Sequence, residues 1–232
     1  MSALEWSGCE NVRDLGGLPA ARGTVRDRAL VRADSLTRLD AQGLEAFREY
    51  GAGRVIDLRA EAETAEPAHP LAGTEAYLNV PWVDVAVDGQ TSLLGFYLGS
   101  LGENKAQVAR IVRAFADAPP GPVVVHCAVG KDRTGIVVAL LLTLAGVPRE
   151  EVVADYVISE TALGLMELIE SLDGEQRTRA EQFARSTPET IEAFLDHLDA
   201  DHGGIETYLR SCGLTDDDLT RARDRLVTPN AD

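Results

Sequence analysis

The segment between residues 122 and 142 constrains the fold more than any other part of the chain. An apolar run, Pro122-Val-Val-Val125, leads into His-Cys-Ala-Val-Gly-Lys-Asp-Arg-Thr-Gly at residues 126–135, and a second apolar run continues to Leu142. This order predicts a buried strand, a short loop and a helix. The loop therefore lies at a helix N-terminus, where unpaired N–H groups and the helix dipole favour an anion of phosphate size.

The residues of this loop suit phosphoryl transfer. A thiol at a helix N-terminus beside cations loses its proton readily, so we expect Cys127 to be a thiolate and a nucleophile. Arg133, six positions later, offers a planar pair of donors to two phosphoryl oxygens. Gly130 permits a tight turn, Thr134 can donate a hydrogen bond to the departing thiolate, and His126 can brace the loop from below. The alternative, a buried structural cysteine, fits the surrounding pattern less well.

The motif HCAVGKDRTG resembles the Cys-x5-Arg signature of cysteine-dependent tyrosine phosphatases. Its Lys131-Asp132 pair is similar to that of a bacterial subgroup acting on phosphotyrosine, other phosphoproteins and phosphoinositides. Segments 11–17, 30–35 and 55–59, with Glu63, also resemble that subgroup, so the resemblance covers most of the chain. It implies a phosphatase that forms a phosphocysteine intermediate and needs no cofactor or metal. The expected substrate-binding residues are Ala128, Val129, Gly130, Lys131, Thr134, His126 and Arg59.

A general acid is expected on a second loop. Trp82-Val83-Asp84 follows a predicted strand and is similar to the Trp-Pro-Asp loop of tyrosine phosphatases, with valine in place of proline. Expelling an alkoxide or phenolate requires a proton on the bridging oxygen, which a carboxyl on a mobile loop can deliver. We therefore predict that Asp84 is the acid, with Asp88 as the fallback; an exposed acidic turn residue is the alternative.

Other charged residues near the motif have two interpretations each. Asp132 either accepts hydrogen bonds that shape the loop or acts as an acid or base on the water that hydrolyses phosphocysteine. Lys131 either contacts a second phosphate or acidic group of the substrate or is a solvated loop lysine. Arg59 and Glu63 are expected to form a supporting ion pair. Arg13 and Asp14 are expected to be structural.

The chain as a whole reads as an α/β protein. Four short apolar segments predict a mostly parallel or mixed sheet of four to five strands with helices on both faces; they are 29–32, 54–58, 76–80 and 122–126. Helical patterns are expected after Asp40, over Lys105–Ala116 and throughout the C-terminal third. We expect one phosphatase domain over residues 1–232, with a sheet core at 10–148 and a helical part at 149–228. The carboxyl ends of the strands should meet at the site.

Charge and cysteine content narrow the function further. The net charge is −16, from 22 basic and 38 acidic residues, which argues against nucleic acid as a partner. The cysteines, at positions 9, 127 and 212, are odd in number and far apart, which favours a reducing compartment. Cys212 lies in a helical apolar stripe and is expected to be a buried hydrophobe. No signal peptide or transmembrane run is visible, so a cytoplasmic location is expected.

Two other functions use a similar loop. A non-catalytic module could read phosphorylated partners, and a sulfurtransferase also uses a loop cysteine. The presence of Cys127, Arg133 and Asp84 together favours catalysis. The expected partners are therefore a phosphorylated protein or lipid headgroup, with phosphate, vanadate or sulfate able to occupy the loop.

Overall fold

A computed structural model describes residues 1–65, 69–83 and 92–230. Within these residues the chain forms nine short strands: β1 Ser2–Ala3, β2 Arg13–Asp14, β3 Pro19–Ala20, β4 Gly23–Val25, β5 Leu30–Ala33, β6 Arg54–Asp57, β7 Tyr77–Asn79, β8 Val123–His126 and β9 Val227–Pro229. The same residues hold eleven α-helices: α1 Ala41–Tyr50, α2 Glu61–Thr64, α3 Leu93–Glu103, α4 Lys105–Ala116, α5 Asp132–Ala145, α6 Arg149–Ala162, α7 Leu165–Glu170, α8 Gly174–Phe183, α9 Pro188–His202, α10 Ile205–Ser211 and α11 Asp216–Leu226. None of these helices is both long and apolar enough to span a membrane.

The central sheet has six strands in the order β1-β2-β5-β8-β6-β7. The last four in this order are parallel neighbours, and they are the four strands that the sequence predicts. Strands β1 and β2 extend the sheet in antiparallel fashion. The prediction of a mixed α/β sheet is confirmed, although the sheet has one strand more than the upper limit expected. The additional strands have two residues each, too few to show an alternating pattern.

Both faces of the sheet are covered because its central strands are apolar on both sides. Val123 and Val125 pack into the larger core with helices α4 and α5, whereas Val124 points to the opposite face. There it joins Trp6 and the α1 residue Phe47 in a smaller core. Alternate side chains of a strand point to opposite faces, so a run of valines is typical of a strand buried on both sides.

Most helices follow their sequence signals. Asp40 caps α1 by accepting a hydrogen bond from the Gly43 N–H at 2.9 Å, and Gly51 ends the helix with a left-handed φ of 68°. Thr215 caps α11 in a reciprocal arrangement with Asp218. Helix α8 has no separate signal in the sequence, since none of its residues is buried and no apolar stripe marks it.

Candidate active site

The loop after β8 lies in the middle of the parallel strands. Strand β8 is paired with β5 on one side and with β6 on the other, so that His126 lies opposite Ala33 and Asp57. The side chain of Cys127 is 2% exposed at the strand end, and α5 begins five residues later. The structure therefore places the motif between a strand and a helix N-terminus, as the sequence predicts.

Every carbonyl from residue 127 to residue 131 accepts a hydrogen bond, three of them from distant segments of the chain, one from the end of β8 and one from α5. The donors, in loop order, are His126 Nδ1 at 3.2 Å, Ser35 N at 3.1 Å, Asn11 Nδ2 at 3.1 Å, Arg32 Nη2 at 2.6 Å and Gly135 N at 2.8 Å. The N–H and C=O groups of one peptide unit point in opposite directions. Anchoring these carbonyls outward therefore turns the following N–H groups into the concave side of the loop, where an anion would lie.

Gly130 is required at its position by geometry. Its φ is 68°, and a Cβ atom there would lie 2.5 Å from the carbonyl oxygen of Ala33 and 2.7 Å from the nitrogen of Asp34. Any side chain would therefore push the loop away from the end of strand β5. The sequence predicts the tight turn but not the strand that lies behind it.

Arg133 is held by a carboxylate from a neighbouring element. Its two terminal nitrogens donate to the Glu63 carboxylate at 2.6 and 2.9 Å. Glu63 lies on α2 and also accepts from the Ala60 N–H at 2.9 Å, which fixes its rotamer. The Arg133 guanidinium, with help from the Ala60 N–H, holds the pKa of Glu63 below its ordinary value.

The predicted ion pair between Arg59 and Glu63 is wrong. Arg59 donates instead to Asp57 through its Nε and Nη2 atoms, the latter at 2.8 Å, and Glu63 turns to Arg133. Asp57 is completely buried, and a buried carboxylate needs a charged partner close by. Arg59, predicted to bind substrate, is 4% exposed, and its guanidinium is engaged beside the site by Asp57 and by the Glu63 carbonyl.

His126 lies beneath the loop in a group of buried aromatic side chains. Its ring stacks on His69 with 5.2 Å between centroids, and His69 stacks on Tyr77 at 4.4 Å. Burial lowers the pKa of His126 and brings that of His69 to about 3, so both rings are neutral at pH 7. Burial alone would raise the pKa of Asp57, but the hydrogen bonds and the positive charge of Arg59 hold it below its ordinary value.

The two residues that distinguish this loop, Lys131 and Asp132, bind each other. Lys131 is 3% exposed, so the solvated alternative is wrong. Its ammonium donates to Asp132 Oδ1 at 2.5 Å and reaches the carbonyls of Phe183, at the end of α8, and of Arg185, just beyond it. Asp132 also accepts from the Tyr97 hydroxyl at 2.9 Å. This arrangement favours the loop-shaping interpretation of Asp132.

Thr134 carries a buried hydroxyl without a hydrogen-bond partner among the described residues. The residue is fully buried in the first turn of α5. A buried hydroxyl without a partner is uncommon. Its position two peptide units from the start of α5 suits the predicted donor role towards Cys127.

The structure describes the start of the predicted acid loop but not the acid. Val83 is held on both sides by the buried Asn104, whose side chain accepts from the Val83 N–H at 2.8 Å and donates to the Val83 carbonyl at 3.0 Å. Trp82 is buried beside it and donates to Ser100 Oγ at 3.3 Å. Asp84 and Asp88 lie outside the described residues.

Sequence reasoning missed the residues that anchor the loop from behind. These residues are Asn11, Arg32 and Ser35, and none of them lies in a recognisable catalytic motif. Each is more than 90 positions away from the loop carbonyl that it contacts. One signal was available: Arg32 is a charged residue in the middle of an apolar strand. A charge in that position is typical of a buried ion pair.

Together, a strand–loop–helix anion site, a buried cysteine and an arginine oriented by a carboxylate define a cysteine-dependent phosphatase. Comparison with known proteins agrees, since the sequence profile of the tyrosine phosphatase family matches residues 4–228. A tyrosine-protein phosphatase of Nostoc commune is 30% identical over 90% of this chain and 78% of its own length. The triple specificity protein phosphatase PtpB of Mycobacterium tuberculosis is 28% identical over 98% of this chain and its full length.

The chain belongs to the tyrosine phosphatase family. It is a protein-tyrosine phosphatase, which confirms the enzymatic interpretation over the phosphate-binding module and the sulfurtransferase.

Proposed function

We propose that the phosphatase acts through Cys127 as the nucleophile, with Arg133 and the loop amides of residues 128–134 as the phosphate cradle. The carbonyl anchors described above support this assignment, because they leave the N–H groups on one concave side. The Cys127 thiolate attacks phosphorus in line, and the bond to the ester oxygen breaks as Asp84 donates a proton to it. Arg133 stabilises the equatorial oxygens.

The second half of the reaction releases phosphate. Water attacks the phosphocysteine, the sulfur–phosphorus bond breaks, and Asp84 accepts the proton of that water. Thr134 donates a hydrogen bond to the departing thiolate. Asp132 is bonded to Lys131 and Tyr97, so we assign it to shaping the loop rather than to proton transfer.

Replacement of the nucleophile tests this assignment. Cys127→Ser should lower kcat on p-nitrophenyl phosphate by at least about 10³-fold while retaining affinity for vanadate. Cys9→Ser and Cys212→Ser are matched controls, since both residues are partly buried cysteines and free thiols, and both should keep full turnover. Near-normal turnover of Cys127→Ser would refute the mechanism. The wild-type enzyme should also be fully active in EDTA and lose activity reversibly in peroxide.

We infer that phosphotyrosine in proteins is the preferred substrate. Val129 in the loop and Val83 at the start of the predicted acid loop are 40% and 46% exposed, and both offer apolar contact to an aromatic ring. Lys131, which the sequence offers to a second phosphate, is already engaged by Asp132. Both observations disfavour a heavily phosphorylated inositol headgroup.

A broader specificity is the second candidate, since one relative is named a triple specificity phosphatase. Comparing kcat/KM for phosphotyrosine, phosphoserine and phosphothreonine peptides and for soluble phosphoinositides decides between them. We expect kcat/KM for the phosphotyrosine peptide to exceed that for the phosphoinositides by at least about tenfold, which is the discrimination that one well-placed apolar contact provides. Equal values would refute the preference. A cytoplasmic location remains part of the proposal and depends on the cysteine pattern.

A further inference from the structure

A buried cluster of charges lies directly behind the phosphate loop. It consists of Arg13 from β2, Arg32 from β5 and Asp155 from α6, which are 3%, 0% and 1% exposed. Arg13 Nε donates to Asp155 Oδ1 at 2.7 Å, and Arg32 Nη1 donates to Asp155 Oδ2. The two guanidinium groups share a single carboxylate.

Arg32 connects this cluster to the loop. Its Nη2 donates to the Gly130 carbonyl at 2.6 Å and approaches the Lys131 carbonyl at 3.4 Å. Its Nε is buried and has no partner among the described residues. One guanidinium therefore bonds the loop on one side and Asp155 on the other, and its position determines where the loop lies.

The charged groups around the cluster balance one another. Directly after β5, the buried Asp34 accepts a hydrogen bond from Arg38 at 3.4 Å. At the start of α5, Lys131 and Asp132 are paired at 2.5 Å. Among the charged residues of α6, only Asp155 is buried. Asp14, next to Arg13 on β2, is also buried, but it points to the other face of the sheet, where it accepts from the Tyr50 hydroxyl at 2.8 Å. The cluster itself therefore contributes one positive charge in excess, close beneath the loop.

An excess buried charge is costly to a folded protein unless something offsets it. An anion in the loop would supply the missing counter-charge, and so would the thiolate of Cys127. Uncharged residues could hold the sheet and α6 together without this cost. The retained excess charge therefore points to the anion site rather than to packing alone.

We propose that Arg32 is a positioning residue for phosphoryl transfer, which orients the Gly130 and Lys131 peptides and, with Arg13, supplies a buried positive charge that stabilises the anions above it. This inference rests on the proposed function, since it assumes that Cys127 and the loop bind phosphate.

Four variants separate the bonding role from the charge. Arg32→Met removes the loop bonds and the excess charge, and Arg32→Lys keeps the charge but not the forked geometry. Arg13→Met removes the excess charge and leaves the Arg32 bonds in place. Arg225→Met is the control. Arg225 also donates to backbone carbonyls, those of Ala118, Pro119 and Gly121, but they belong to the segment before strand β8, at the end far from the phosphate loop.

The readouts are kcat and KM on p-nitrophenyl phosphate and the pH midpoint of iodoacetamide alkylation of Cys127. Arg32→Met should lower kcat about 10²-fold, as expected when a reacting group is displaced slightly. It should also raise the alkylation midpoint by roughly one pH unit, the effect of losing a nearby opposite charge. Arg13→Met should raise the midpoint with less than about a tenfold loss in kcat. Arg32→Lys should leave the alkylation midpoint unchanged and lower kcat.

Other outcomes overturn the inference. If Arg32→Met and Arg225→Met reduce stability and activity alike, with no change in the midpoint, the cluster is only structural. If Arg32→Met does not fold, Arg13→Met decides, and an unchanged midpoint in that variant refutes the charge role. Full turnover of Cys127→Ser would instead refute the proposed mechanism. Failure of the positioning role and failure of the mechanism are therefore distinguishable.

Discussion

Replacing Glu63 by glutamine tests how the catalytic arginine is oriented. The Glu63 carboxylate accepts one hydrogen bond from each terminal nitrogen of Arg133, at 2.6 and 2.9 Å. Glutamine keeps one acceptor oxygen of the same reach, but it loses the charge and presents an N–H₂ group to the second nitrogen. The fork can then make only one of its two bonds to residue 63, and the guanidinium is oriented less firmly towards the loop.

The magnitude follows from the strength and the exposure of this pair. A charge-assisted hydrogen bond contributes about 1.5–3 kcal/mol in a protected site. The side chains here are 13% and 35% exposed, so solvent reduces the contribution, and about 1–2 kcal/mol remains. If that energy is lost from the transition state, kcat/KM falls about 5- to 30-fold.

An opposing effect would be visible in the same assay. Glu63 is an anion close to the place where a phosphate dianion binds, so its removal reduces repulsion and favours a lower KM. We expect the loss of orientation to prevail, with kcat reduced and KM unchanged or lower. Initial rates on p-nitrophenyl phosphate measure both constants. Glu61→Gln is the matched control, because Glu61 lies exposed on the same short helix. A wild-type or higher kcat/KM for Glu63→Gln would refute the orientation argument.

Three further perturbations address the loop and the residues beneath it. Gly130→Ala places a methyl group 2.5 Å from the Ala33 carbonyl oxygen, so it should lower the free energy of unfolding by about 1–3 kcal/mol and abolish activity. Gly213→Ala is the control and should stay active, because Gly213 has a similar positive φ of 91° but open space around it. Similar activities of the two variants would contradict this reasoning. Burial lowers the pKa of His69 to about 3, so unfolding takes up a proton below about pH 6.5 and the free energy of unfolding should fall on acidification, by about 1–2 kcal/mol at pH 5. His69→Asn should flatten that dependence in urea titrations at pH 7 and pH 5, and an equal slope would show another source. Thr134→Ala should slow hydrolysis of the phosphocysteine, which gives a burst of p-nitrophenol before a slow steady rate; a slow rate without a burst would place the defect in the first step.

The sequence predicts the parts of this fold that are continuous in the chain. The four parallel strands are runs of apolar residues, and the phosphate-loop motif is ten consecutive residues that run from the end of a strand into the first turn of a helix. Both are recognisable because their physical cause, burial on two faces or an anion at a helix N-terminus, acts over a short stretch. The cap at Asp40 and the stop at Gly51 are equally local.

Contacts between distant segments could not be predicted in the same way. Glu63 is 70 positions from Arg133, and the sequence suggested the nearer Arg59 as its partner. The choice between them depends on Asp57, which is buried completely and takes Arg59 for itself. Which of two cations a carboxylate binds is thus determined by the burial of a third group, and burial is a property of the assembled sheet.

The electrostatics of the site resolve an apparent conflict between an acidic chain and an anionic substrate. The net charge is −16, but charges farther away than about 8–10 Å are largely screened by physiological salt. Around the loop, three cations are each matched by a carboxylate: Arg133 by Glu63, Lys131 by Asp132 and Arg59 by Asp57. A balanced set of pairs attracts an anion only weakly. The attraction must therefore come from the inward N–H groups, the start of helix α5 and the unmatched guanidinium behind the loop, all of which are shielded from solvent and from the negative surface.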